Sequence, residues 1–236
     1  MADFPTIFDW LERLAFLRGL PAAYLALLAA LVIVVVWDWR VALMALALHY
    51  LAAGLLFVEV LDPRLTIVKV VVGWFVCLIL YLGVRQASWA QRLTAVAPAG
   101  QEQATRPARR QLSSGALFRI FLGLMVALAA LTLSQRPGYQ LPAVPPATDL
   151  AVYGLLGMGL LGVSQTTEPL KAGMSLLLLM TGFELFYNTV EQSVAMLALL
   201  AGAHLVLALV ISYLVQVGQA VSSGAKDVAP GDGVPS

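Results

Sequence analysis

The sequence predicts an all-α integral membrane protein of about seven transmembrane helices preceded by a short amphipathic interfacial helix. Three observations carry that prediction. Of 236 residues, 61% are hydrophobic and only 11% charged, whereas about a quarter of the residues of a soluble domain are charged. The mean hydropathy is +0.88. The apolar residues gather in long uninterrupted runs rather than alternating with polar ones as in a lipid-facing barrel strand.

A transmembrane helix needs about 20 mostly apolar residues, because the hydrocarbon core is about 30 Å thick and a helix rises about 1.5 Å per residue. The runs that qualify are Leu20 to Trp37, Val41 to Leu61, Leu65 to Val84, Leu117 to Ser134, Thr148 to Ser164, Leu170 to Val190 and Val194 to Gln216, the fifth being the shortest. Residues 1–19 differ. After Asp3 as a cap, Phe4, Ile7, Phe8, Leu11, Leu14 and Ala15 share one helical face, with Asp9, Glu12 and Arg13 opposite, the pattern of a helix lying on the membrane surface. Acids near the N-terminus and a first run that ends in Trp-Asp-Trp-Arg favour an uncleaved span over a signal peptide.

The spans fall into three regions: residues 20–84 with three helices, residues 117–134 with a fourth, and residues 148–216 with a closely connected three-helix unit. Residues 85–116 form the one sizeable polar connection, with Arg92, Arg106, Arg109 and Arg110 in it and Arg119 just beyond. The positive-inside rule assigns this basic loop to the cytoplasm. Seven crossings then place the N-terminus and the proline-rich 136–146 loop outside, and the Glu168–Lys171 turn and the C-terminus inside. Residues 217–236, rich in Gly, Pro and Ser toward their end, are expected to be a disordered tail.

Composition also excludes whole classes of function. With 14 Lys+Arg against 13 Asp+Glu the formal net charge is +1, so there is no basic field of the kind that nucleic acid requires. One cysteine, Cys77, rules out an internal disulfide or a CxxC redox pair. With only His49 and His204 besides, a His-rich metal centre or bis-His haem is not expected, and no cofactor is assigned. No Ser/His/Asp set, HExxH, Gly-rich phosphate loop or paired catalytic acids can be assembled, so the chain is not expected to be an enzyme by itself.

Ionisable residues inside spans are the informative ones, since each costs about 2.5–3.5 kcal/mol at a helix centre and is retained where it faces protein, water or a partner charge. Glu59 and Lys69 flank the Leu61-Asp62-Pro63-Arg64 turn, within roughly 3–8 Å of one membrane face. They are positioned to pair, either as a staple of the hairpin or as charges flanking an ion path. Glu184 lies roughly 21 Å along span six, with no Lys or Arg within a helical turn. It must be protonated, hydrated or paired across helices, and a carboxyl so placed can take up and release a proton. Asn188, four residues on, shares its face and is placed to hydrogen-bond it. The short connection before Val194 makes spans six and seven an antiparallel hairpin, so His204 can reach Glu184 directly or through one water, and imidazole suits a relay. His49, midway along span two, has no evident partner. Gly154, Gly157, Gly159 and Gly162 of span five, and Ala198 with Gly202 in span seven, read as close-packing positions.

Three closely spaced helices, a short turn between the first two, and Gly182-Phe183-Glu184-Leu185-Phe186-Tyr187-Asn188 in the middle one resemble the K subunit of respiratory complex I. The relatives of that subunit include the C subunit of Mrp cation/proton antiporters and the longer E-type membrane subunit of hydrogenase-4 complexes. The resemblance covers roughly Ala151 to Gln216. It implies a multi-pass subunit of a bacterial cytoplasmic membrane, partnered by other integral membrane subunits and lipids, with Glu184 and Asn188 on a path for H⁺ or Na⁺. The family commonly has a second glutamate in its third helix, where this chain offers His204. The extra N-terminal spans look like the long hydrogenase-type subunit. The expected function is a non-catalytic subunit of an ion-translocating assembly; the alternative is a structural or assembly subunit with no ion-conducting role.

Overall fold

The computed structural model describes residues 15–94, 114–141 and 144–227. They form α1 (Leu20–Val35), α2 (Trp39–Val60), α3 (Pro63–Thr94), α4 (Ser114–Gln135), α5 (Pro146–Ser164), α6 (Pro169–Val190) and α7 (Val194–Asp227), with no strand among them. All but α1 are long and apolar enough to cross a membrane. The chain is therefore a helical, multi-pass membrane protein. The expected interfacial helix falls mostly outside the described residues; of it only Ala15–Leu17 is seen, as one 3₁₀ turn against α1. Most of the basic loop and the extreme C-terminus also lie outside them.

Several boundaries differ from the sequence reading. The shortest helix is α1, 16 residues or about 24 Å against a core of about 30 Å, and not α5, which starts at Pro146 and has 19. Val36 is extended and Asp38 caps α2 by accepting from the Arg40 amide at 3.0 Å, so the Val36–Asp38 connection ends α1 early. Helix α3 runs on to Thr94 and α7 to Asp227, into stretches expected to be loop and disordered tail.

The reason α1 lies inside the bundle is its run of small residues. Ala22, Ala23, Ala26, Ala29 and Ala30 are all buried, while Tyr24 and Leu28 on the other side are about half exposed. Small side chains let helix backbones approach where no hydrophobic effect separates helix from lipid. Helix α1 packs on α2, α5, α4 and α6, and α3 packs on α7. The N-terminal helices and the C-terminal three-helix unit are thus interleaved, with α4 almost wholly exposed on the outside.

Two glycines show how closely the helices approach. A Cβ at Gly159 would stand 2.6 Å from the Leu179 backbone nitrogen, so α5 and α6 touch main chain to main chain there. A Cβ at Gly73 would stand 2.7 Å from the Tyr50 Cβ, so this glycine lets the Tyr50 ring lie against α3. Gly202, in contrast, has nothing within 4 Å of its Cβ position and is not a packing contact, contrary to the expectation for span seven. Accordingly, Gly159→Ala should destabilise by about 1–3 kcal/mol through overpacking. Gly202→Ala should be neutral or stabilise by up to about 1 kcal/mol through helix propensity. Thermal unfolding of the two variants in detergent checks the difference; equal midpoints would refute it.

Candidate functional site

The two hairpins that carry the polar residues are held in register. The α2–α3 turn at Leu61–Asp62 is closed by Leu65 and Thr66 amides donating to the Asp62 carbonyl, and Pro63 opens α3, where its missing N–H is no loss. The α6–α7 connection joins the same end of the bundle, because the Gln192 side chain donates to the Val60 carbonyl at 2.6 Å. Counting down from these turns, Lys69 and Glu184 each lie about 9 Å along their helices, and Tyr50 and His204 about 15 Å along theirs. The packing brings all four together.

Lys69 forms an ion pair with Glu184, and both side chains are buried, 6% and 3% exposed. The Lys69 ammonium also donates to the Leu197 carbonyl of α7 at 3.5 Å, so one side chain ties α3 to α6 and α7. His204 Nδ1 stands 2.9 Å from the Leu200 carbonyl and 4.0 Å from the Glu184 carboxylate. A carbonyl only accepts, so Nδ1 carries the proton and Nε2 presents its lone pair. That nitrogen is buried with no hydrogen-bond partner among the described residues. The Tyr50 ring meets the His204 ring edge-on at 6.2 Å, and the His49 ring lies 5.6 Å from that of Tyr50. Neither the Tyr50 hydroxyl nor either His49 nitrogen has a hydrogen-bond partner there.

The residues surround a small cavity lined by Tyr50, Lys69, Gly73, Thr181, Glu184 and His204, among others. Its volume is about 10 Å³, close to the least that holds one water. The donors and acceptors facing it, an ammonium, a carboxylate, an imidazole nitrogen and a phenol, are those with which protons are exchanged. No group of three or more His, Cys, Asp or Glu that could hold a metal occurs among the described residues.

The sequence-predicted residues are therefore sorted anew. Glu184 and His204 do come together. Lys69 belongs to Glu184 and not to Glu59, which is exposed at the bundle end near Arg18 and Gly19. Gly19 has φ 76°, the left-handed conformation that favours glycine, and so turns the chain into α1 beside that carboxylate. Asn188 is buried, but its amide donates to the Glu184 backbone carbonyl at 2.8 Å, not to the carboxylate. Tyr50 and Thr181 were missed. A phenol and a hydroxyl in the middle of apolar runs are the sequence signal that marks them.

No family model, curated protein or solved structure matches the chain.

A buried pair broken on one side leaves an uncompensated charge, at a cost of about 3–5 kcal/mol, whereas apolar replacement of both partners is often neutral or stabilising. Lys69→Met and Glu184→Leu should each lose about that much, and the double variant should recover most of it. A double-mutant cycle on unfolding in detergent measures the coupling; additive losses would show that the two side chains do not act as a pair.

Proposed function

We propose that the chain is a non-catalytic membrane subunit of a multisubunit ion-translocating assembly, to which it supplies the Lys69–Glu184 pair and His204 as a buried station on a proton or Na⁺ path. The observation that carries this reading is a carboxylate and an ammonium placed in direct contact within the apolar part of the bundle, beside an imidazole with a free buried nitrogen. Charged residues at that depth are costly and mark ion pathways far more often than chance placement would.

The chemistry follows from the arrangement. With Lys69 protonated and Glu184 ionised the cluster is neutral overall. A proton arriving at Glu184 cancels the carboxylate charge and frees the Lys69 ammonium, which retains its bond to the Leu197 carbonyl. A proton arriving at the free His204 nitrogen adds a positive charge next to the pair and favours release onward. Occupancy of one group thus changes the affinity of the next, which is what stepwise transfer requires. The resemblance of residues 182–188 to the K subunit of complex I supports the same reading, as does the interleaved bundle, whose exposed α4 and α3 faces leave surface for neighbouring membrane subunits. The orientation proposed is N-terminus outside and C-terminus in the cytoplasm of a bacterial inner membrane.

A second reading, a structural or assembly subunit, is favoured by one observation: the cavity is barely large enough for a single water, so the pair can serve to fix helix register alone. The two readings separate on Glu184→Gln, which keeps size and hydrogen bonding but removes the ionisable group. In membrane vesicles from the native host, the ion-path reading expects coupled proton translocation to fall at least tenfold, with the subunit still co-purifying with its partners. Unchanged translocation with unchanged assembly would leave the structural reading standing.

A further inference from the structure

At the opposite end of the bundle from the Lys69–Glu184 pair, Trp37 gathers two cations. The Arg119 guanidinium lies 4.5 Å and the Lys171 ammonium 4.2 Å from its ring centre. Arg119, in the first turns of α4, donates to the Gln165 carbonyl after α5 at 3.4 Å. Lys171 is 5% exposed, and its ammonium has no hydrogen-bond partner among the described residues. The side-chain amide of Gln165, the residue whose backbone carbonyl Arg119 contacts, is buried and likewise without partner. The acid nearest in sequence, Glu168, is exposed and acts on Lys171 only from a distance, and no described carboxylate is within ion-pair distance of either cation. Two positive charges and an idle amide donor at a membrane interface make an incomplete site, and what completes it is an anion.

A second feature starts from the same place. Between α1 and α4 runs an apolar groove of about 570 Å³, bounded by Tyr24, Leu28 and Leu31 on one side and Leu124, Leu128 and Leu131 on the other. Its near end lies about 8–9 Å, and its far end about 18–20 Å, along the helices from the Trp37 cluster. Half a bilayer including its headgroup region is about 20–22 Å deep. The groove therefore runs away from the cluster along the helices and covers about 10 Å of the path of an acyl chain whose phosphate sits at the cluster.

We propose that the seam between α1 and α4 binds one anionic phospholipid, its phosphate on Arg119 beside Trp37 and one acyl chain in the groove. The partly exposed guanidinium makes the direct contact, and Lys171, beneath the indole, adds the second charge. Basic pockets between transmembrane helices are the usual seats of anionic headgroups. The lipid fills the space between α4 and the rest of the bundle, so it completes the packing of the most exposed helix.

The test uses the full chain, stripped of lipid in a neutral detergent and titrated with dioleoyl phosphatidylglycerol, dioleoyl phosphatidylcholine or inorganic phosphate, with adducts counted by native mass spectrometry. One phosphatidylglycerol should be retained in at least tenfold preference to phosphatidylcholine. Arg119→Gln, at a position exposed enough to spare the fold, should abolish most of that preference. Leu128→Trp, which fills the groove from its exposed rim, should lower phosphatidylglycerol occupancy but leave any phosphate response unchanged. Arg85→Gln, which removes a charge from the same end outside the seam, should do neither. Equal retention of the two lipids, or phosphatidylglycerol occupancy in Arg119→Gln within twofold of the parent, would overturn the proposal. Displacement of the lipid by millimolar phosphate with Leu128→Trp silent would assign the cations to a free anion and overturn it as well.

Discussion

The bundle depends on the cost of holding charge in hydrocarbon. A single lysine or glutamate at the depth of Lys69 or Glu184 would be unfavourable by several kcal/mol. The two are tolerated because their side chains pair between α3 and α6 and because the Leu197 carbonyl of α7 accepts a further hydrogen bond from the ammonium. Three helices must be in place for the pair to exist. The packing is therefore organised around it: α3 lies on α7 rather than alone at the edge, and Gly73 is small so that Tyr50 can close the same cluster from α2.

That arrangement also explains why the polar residues lie at neighbouring depths, Lys69 with Glu184 and Tyr50 with His204. The α2–α3 and α6–α7 turns share an end of the bundle and are joined by Gln192 and Val60, which fixes the heights of Lys69, Tyr50, Glu184 and His204 together. A relay needs neighbouring groups within a few ångströms and a site dry enough for their charges to be felt. The helix register brings Lys69 into contact with Glu184 and sets Glu184 4.0 Å from His204. The same burial leaves room for about one water, too little for a continuous water column.

The two ends of the molecule are chemically unlike. One carries the pair and its turns; the other gathers Trp37, Arg119 and Lys171 around an interfacial indole, the residue type that anchors helices at the headgroup level. Helix α1 spans only about 24 Å, so the Val36–Asp38 connection brings Trp37 to the level of the first turns of α4 and α6. A short first helix is thus what lets three separate segments meet at one interface.

Composition and hydropathy alone were enough to declare a multi-pass helical membrane protein, since runs of about 20 apolar residues have no other stable home. They also singled out Glu184, because a carboxylate deep in such a run is conspicuous on any alignment of residues with depth. His204 was legible for the same reason, through the short hairpin that ties α6 to α7. The partner of Glu184 was not. Lys69 lies near Glu59 in the chain, and sequence spacing pairs neighbours along a helix or across a tight turn, whereas α3 meets α6 and α7 only through tertiary packing. Asn188 shared a face with Glu184 as its spacing required, yet its amide found the nearer backbone carbonyl. Gly202 fitted a packing pattern but faces open space, because small residues permit close approach without compelling it. Periodicity fixes which residues share a helix and a depth; which faces meet is decided by the fit of all the described helices at once.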